Sequence, residues 1–220
     1  MPTPRERKSP TRILVARHGQ TESNRDGLFC GHSETALTQL GRDQAAALGR
    51  RLESVHIAAA YTSDFSRAIE TAAIALHGRG LAPCVDPDLR EIHYGEWEMQ
   101  RERIVARSHP QQWKLMRAED PAWRPPGGET ILDVRARTAA ALRRIVRAHT
   151  GQAVLVVTHG TAINCMFAEV LGMAPESTFR IAVANCGLSE VRARRGGRLV
   201  VSLLNDTHHL EGLAGSPASS

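Results

Sequence analysis

Short apolar runs punctuate the chain, and two of them end in the same way. Residues 12–16 (RILVA) and 153–158 (AVLVVT) are dominated by β-branched and aliphatic residues with little polar alternation, as strands covered on both faces are. Each then meets a His-Gly pair: His18-Gly19 after Arg17, and His159-Gly160 directly. Residues 57–63 (IAAAYTS) predict a weaker strand of the same kind. Between these runs the apolar period lengthens to three and four. Residues 63–78 predict a helix capped by Ser63 or Asp64 and stopped by Gly78. Another helix begins at the cap candidate Thr38 and buries Leu40, Ala47, Leu48 and Leu52. A third covers residues 130–149, with Ile131, Val134, Thr138, Leu142, Ile145 and His149 on one face. A fourth starts near Thr161 and stops around Leu171-Gly172. Two alternating runs around Gly196-Gly197 predict a β-hairpin.

Strands that alternate with helices predict an α/β class: three layers, α/β/α, around a mostly parallel sheet, with an antiparallel edge contributed by the hairpin. Residues 95–128 break the rhythm. They hold Trp97, Trp113 and Trp123, many charges and the run RPPGG, and are expected to form a partly helical insertion over the sheet's edge, a candidate lid. One domain, residues 11–211, is expected between disordered tails at 1–10 and 212–220.

At 220 residues the chain is long enough for a substantial core. Its net charge of +5 is carried almost wholly by arginine, Lys8 and Lys114 being the only lysines. The arginines are scattered through every segment, which fits an anionic ligand better than a nucleic-acid stripe. Cys30, Cys84, Cys165 and Cys186 form no C-x-x-C pair, so neither a zinc site nor a disulfide framework is expected. The basic, Pro-rich start does not read as a secretory signal, and no apolar run is long enough to span a bilayer. A cytoplasmic protein with reduced thiols, no nucleic-acid partner and no membrane partner is expected.

In open parallel sheets ligands sit outside the carboxyl ends of the strands, where both His-Gly pairs emerge. A lone histidine there is ordinarily structural; two in one context, one of them preceded by arginine, favour a shared crevice. Arg17 carries a planar, always-charged fork suited to phosphate or carboxylate. Arg67 lies in a first helical turn, where the dipole disfavours a cation unless something anionic offsets it. Asn24 follows His18 on the same loop as a candidate donor. Glu91 is the candidate acid, with Glu96 and Glu98 as local competitors.

The blocks ARHGQTESN, GHSETALTQLGRDQA, TSDFSRAIETA, LREIHYGEWE, PPGGET, VVTHG and NDTHHL, in order over residues 11–209, resemble the histidine phosphatase superfamily, the phosphoglycerate-mutase-like family. That resemblance implies an α/β fold in which His18 is phosphorylated. Arg17, Arg67 and His159 hold the transferring phosphoryl group, His159 helping most when protonated, and Glu91 is the proton donor. It extends the substrate contacts to Asn24, Thr21, Cys30, Gly31, Tyr94 and Gly160. No metal and no cofactor are implied. His18 must attack through a neutral ring nitrogen, so its other nitrogen is expected to donate to a backbone carbonyl. GEWE and PPGGET lean toward the alpha-ribazole phosphatase and broad-specificity branch, whereas His93 is mutase-like. Cys30 stands where mutases usually carry Thr and phosphatases often Gln, and Met99 where most relatives continue with Gly. The expected activity is metal-independent hydrolysis of small phosphorylated metabolites through phosphohistidine. A cofactor-dependent phosphoglycerate mutase and a non-catalytic phosphate-pocket binding protein are the alternatives. A homodimer is compatible with the sequence, which encodes no oligomeric state.

Overall fold

A computed structural model describes residues 10–194 and 197–213. Apart from Pro10, Gly212 and Leu213, the expected tails lie outside the described residues, as do two residues of the hairpin turn.

Six strands form one sheet in the order β3-β2-β4-β1-β5-β6. They are β1 (Thr11–Arg17), β2 (Ile57–Thr62), β3 (Cys84–Val85), β4 (Ala153–Thr158), β5 (Leu188–Ala193) and β6 (Leu199–Asp206). Strands β1 to β4 are parallel. The hairpin supplies the antiparallel side: β5 runs against β1, and β6 against β5.

Side-chain alternation sorts the two buried faces. Leu14, Ala16, Leu155 and Val157 point into one core with α2 (Gln39–Arg51) and α3 (Ser66–Ala75). Ile13, Val15, Val154 and Val156 point into the other with α6 (Ile131–Ala148) and α7 (Gly160–Leu171). Each buried aliphatic side chain is worth roughly 1.5–3 kcal/mol, and a one-residue slip of β4 would send the whole set to the wrong face. The pairing of β1 with β4 is therefore strongly fixed, Arg17 lying opposite Thr158.

Thr38 caps α2 as expected, but Leu40 is only half-buried; Gly41, Gln44 and Ala45 share the inner face instead. Helix α6 starts at a capping box between Thr130 and Asp133, and α7 ends on Gly172 in the left-handed conformation. The start of α3 departs from expectation. Its N-cap is Phe65, without a side-chain bond, because Ser63 bonds to His159 and Asp64 pairs with Arg90. The exposed Glu34 carboxylate accepts from the Ser66 backbone N–H and hydroxyl in their place.

The insertion contains α4 (Glu102–Ser108) and α5 (Pro110–Arg117). Trp97 and Trp123, both buried, pack with Val105, Ile131, Val134 and Cys165, so its apolar side rests on α6 and α7. Phe29 and Trp113 lie against the same aromatic group. The tryptophans thus anchor the segment. Met99 takes φ 60°, the left-handed region in which glycine is at ease, which accounts for the glycine usual there.

Candidate active site

Because β1 and β4 are adjacent, parallel and in register, the residues that follow them emerge side by side. His18 extends the ladder by donating its N–H to the Thr158 carbonyl (2.9 Å), and its ring centroid lies 5.1 Å from that of His159. Both rings are buried.

Their tautomers follow from their partners. His18 Nδ1 is 2.7 Å from the Gly19 carbonyl, which can only accept, so Nδ1 carries the hydrogen and Nε2 keeps its lone pair. This is the arrangement a nucleophilic imidazole requires. The always-charged Arg67 donates through Nε to His159 Nδ1 (3.3 Å), so the His159 hydrogen sits on Nε2 and is donated to Ser63 Oγ at 2.6 Å. Burial, and then the nearby arginines, push both rings well below the ordinary histidine pKa. Both are therefore neutral here. For His159 that differs from the protonated state expected beside phosphate: only an incoming anion could reverse the effect of Arg67 and Arg17.

Arg67, buried in the first turn of α3, meets the unfavourable end of the helix dipole with backbone acceptors. Its guanidinium donates to Ser33 O (2.9 Å) and Gly31 O (2.5 Å) and lies 4.6 Å above the Phe65 ring. Arg17 ends β1. One of its terminal nitrogens donates to Val183 O (2.9 Å), while Nε is buried without a partner among the described residues. Burial lowers the Arg17 pKa, and the nearby Glu91 carboxylate opposes that shift. A buried guanidinium N–H left unbonded is costly, and an anion in the crevice would satisfy it.

Glu91 is buried, and two backbone donors fix its carboxylate: Ile92 N to Oε1 (2.8 Å) and Thr161 N, in the first turn of α7, to Oε2 (3.1 Å). Gly160 brings it close to Arg17. A Cβ added there would lie 3.6 Å from Arg17 Cζ and 3.7 Å from Glu91 Oε2, in the space between acid and cation. His18, His159, Arg17, Arg67 and Glu91 thus converge on one crevice.

The remaining predicted contacts divide. Tyr94 borders the crevice, its hydroxyl pKa raised by burial and by Glu91. Asn24 forms a capping box with Thr21 at α1 (Glu22–Asp26); its Oδ1 accepts from Thr21 N and from Asn185 Nδ2. Its own amide hydrogens have no protein acceptor among the described residues and remain available. Thr21 is buried and its hydroxyl is engaged as that cap. Gly31 contributes its carbonyl to Arg67. Cys30 is half-buried, with Sγ 3.3 Å from Ser33 O and burial raising its pKa.

Ser63, Asn185 and Glu98 were not assigned to the site from sequence. Ser63 directly follows the apolar run of β2, the signal already used for the histidines. Asn185 donates to the His18 carbonyl (3.0 Å) from a loop with no such mark. Glu98, weighed only as a rival proton donor, instead accepts four backbone N–H groups. Glu96 is exposed. His208 and His209 have local partners, Glu211 and the Cys186 carbonyl; among the described residues no group of three or more His, Cys, Asp or Glu is placed to hold a metal. Among them, too, no helix is long and apolar enough to cross a membrane.

The sequence profile described as "Histidine phosphatase superfamily (branch 1)" matches residues 13–207. The chain is 32% identical over 203 residues to a protein of Yersinia enterocolitica named "Probable phosphoglycerate mutase GpmB", covering 90% of this chain and 94% of that one. Among solved structures, YhfR of Bacillus stearothermophilus superposes with a TM-score of 0.87 at 32% identity, covering 91% of this chain and all of that one. A putative alpha-ribazole-5'-P phosphatase from Escherichia coli K-12 gives 0.83 at 28% identity over 89% and 96%.

Proposed function

Since the chain belongs to the histidine phosphatase superfamily (branch 1), we propose that it hydrolyses small phosphate monoesters through a phosphohistidine formed on His18. The observation that carries this is the pairing of a neutral His18, its Nε2 lone pair free, with a buried cationic wall. In that wall Arg67 is bonded to His159 and Arg17 Nε lacks a partner.

Phosphoryl transfer asks for positioned charge more than for covalent machinery. In the first step His18 Nε2 forms the N–P bond as the ester P–O bond breaks, and Glu91 delivers a proton to the departing oxygen. Arg17 and Arg67 meet the charge spreading over the equatorial oxygens, so the transfer calls for no metal. The dianion also draws a proton toward His159, which changes from acceptor of Arg67 to donor. In the second step Glu91 takes a proton from water as the water oxygen attacks phosphorus. The P–N bond breaks, and inorganic phosphate leaves.

The test is hydrolysis of p-nitrophenyl phosphate in EDTA, together with acid-labile labelling of His18 in quenched reactions. Both are expected in the native protein and neither in His18→Ala; turnover that survives this substitution excludes His18 as nucleophile. A mutase reading is favoured by the name of the Yersinia relative. It predicts interconversion of 3- and 2-phosphoglycerate, with bisphosphoglycerate present, faster than phosphate release. Against it, a mutase must grip a second phosphate, and Arg101, Arg103, Arg107 and Lys114, basic residues of the insertion that could do so, are all exposed to solvent.

A further inference from the structure

Glu98 touches neither histidine, yet its carboxylate gathers two loops that do the site's work. Oε1 accepts from His32 N (2.8 Å) and Tyr94 N (3.1 Å). Oε2 accepts from Ser33 N (2.8 Å) and Gly31 N (3.2 Å). These bonds to the charged form hold its pKa below the ordinary value although burial alone would raise it. The first loop, residues 31–33, is the one whose carbonyls at Gly31 and Ser33 grip the Arg67 guanidinium. The second carries Glu91 and Tyr94. One anion therefore draws the N–H side of the loop toward itself and leaves its C=O side facing Arg67.

The placement of Glu98 is itself enforced. Its neighbour Trp97 is buried in the aromatic cluster of the insertion, and Met99, on the other side, is held at φ 60° with its N–H on the Phe29 carbonyl (2.7 Å). The chain reverses sharply there, at the strain of a left-handed non-glycine residue. Gly31 packs tightly on the second loop: a Cβ there would lie 2.0 Å from Ile92 O and 2.6 Å from Glu98 Oε1.

We propose that Glu98 is a positioning residue for Arg67: it fixes the loop 31–33 that aims the guanidinium at the transferring phosphoryl group, and so ties the seating of the insertion to catalysis. This rests on the phosphatase reading of the same site. A shift of about 1 Å in a positioned group costs on the order of 10²-fold in rate.

The experiment is a double-mutant cycle of Glu98→Gln with Arg67→Lys. It is read both as kcat/KM on p-nitrophenyl phosphate and as the Kd of inorganic phosphate, with near-UV circular dichroism as the check of fold. Glutamine keeps the shape but turns one acceptor oxygen into a donor that faces backbone N–H groups. Expected is a loss of about 10²-fold in kcat/KM from Glu98→Gln alone. In the Arg67→Lys background the same change should cost under about twofold, because losses that act through one group do not add. Losses that multiply, or a single variant within twofold of native, overturn the proposal. Should Glu98→Gln not fold, Glu98→Asp, which keeps the charge but cannot span both loops, goes through the same cycle. Failure of both to fold also counts against it, since Glu98 would then be scaffold. If the native protein turns over no monoester, the phosphatase reading fails by itself, and the phosphate Kd still decides whether Glu98 acts through Arg67.

Discussion

Burying two neutral histidines among arginines should make the fold acid-sensitive in a calculable way. In the unfolded chain each ring titrates near pH 6.5, whereas the folded pKa values of His18 and His159 are pushed well below that, first by burial and then by Arg17 and Arg67. Between those values the unfolded state binds more protons, so stability falls as pH falls. Its full value is present above pH 6.5, and the loss continues until the folded rings themselves protonate. From pH 7.5 to 5.5 an unfolded histidine takes up a proton worth about 1.4 kcal/mol if its folded counterpart stays neutral, about 2.7 kcal/mol for the pair. The assay is urea unfolding at half-unit pH steps for the native protein and for His18→Asn/His159→Asn. Carboxylates and exposed histidines cancel in the comparison. The native protein should lose more than the variant over this range, up to about 2.7 kcal/mol when both folded rings stay neutral to pH 5.5. Parallel curves would mean that the folded rings titrate near pH 6.5 as the unfolded ones do, and the depression by burial and arginines would have to be abandoned; a variant that is the more acid-sensitive would mean that the folded rings already carry protons at neutral pH, and the neutral nucleophile would go with it. Saturating phosphate should shrink the difference, because the dianion favours a protonated His159.

Ser63→Ala removes the acceptor of His159 Nε2, leaving a buried donor unpaired; about 1–3 kcal/mol of stability and about tenfold in kcat/KM should be lost, and unchanged kinetics would place His159 outside the reaction. In Gly31→Ala the new Cβ meets the Ile92 backbone carbonyl at 2.0 Å, an atom that cannot swing aside as a flexible side chain would; stability should drop by about 3 kcal/mol in urea unfolding, and a native-like midpoint would mean that the loop is free to move.

Much of this molecule is written in local pattern. The short, β-branched, unbroken runs of β1 and β4 read as strands covered on both faces, and the histidine that follows each emerges at the carboxyl ends. Thr130 before an amphipathic run marks the start of α6, and Gly172 marks the end of α7, because capping is chemistry among near neighbours. Such features depend on a few consecutive residues, so one sequence suffices to read them.

What sequence left undecided depends on partners far along the chain. Ser63 and Asp64 have the composition of helix caps, and local propensity assigns them that task; His159 and Arg90, arriving from elsewhere, recruit both. The tryptophans of residues 95–128 carry no period that reports which surface they cover, and only packing on α6 and α7 makes them anchors. Glu98 is the clearest case. As a letter it is one of three carboxylates within eight residues, equally suited to donate a proton or to face water. It becomes a hub because a half-buried anion must collect whatever donors surround it, and the backbone N–H groups of residues 31–33 have no side-chain signature by which to announce themselves. Chemistry borne by side chains at strand ends was legible in advance; chemistry borne by main-chain groups brought together by folding was decided only in three dimensions.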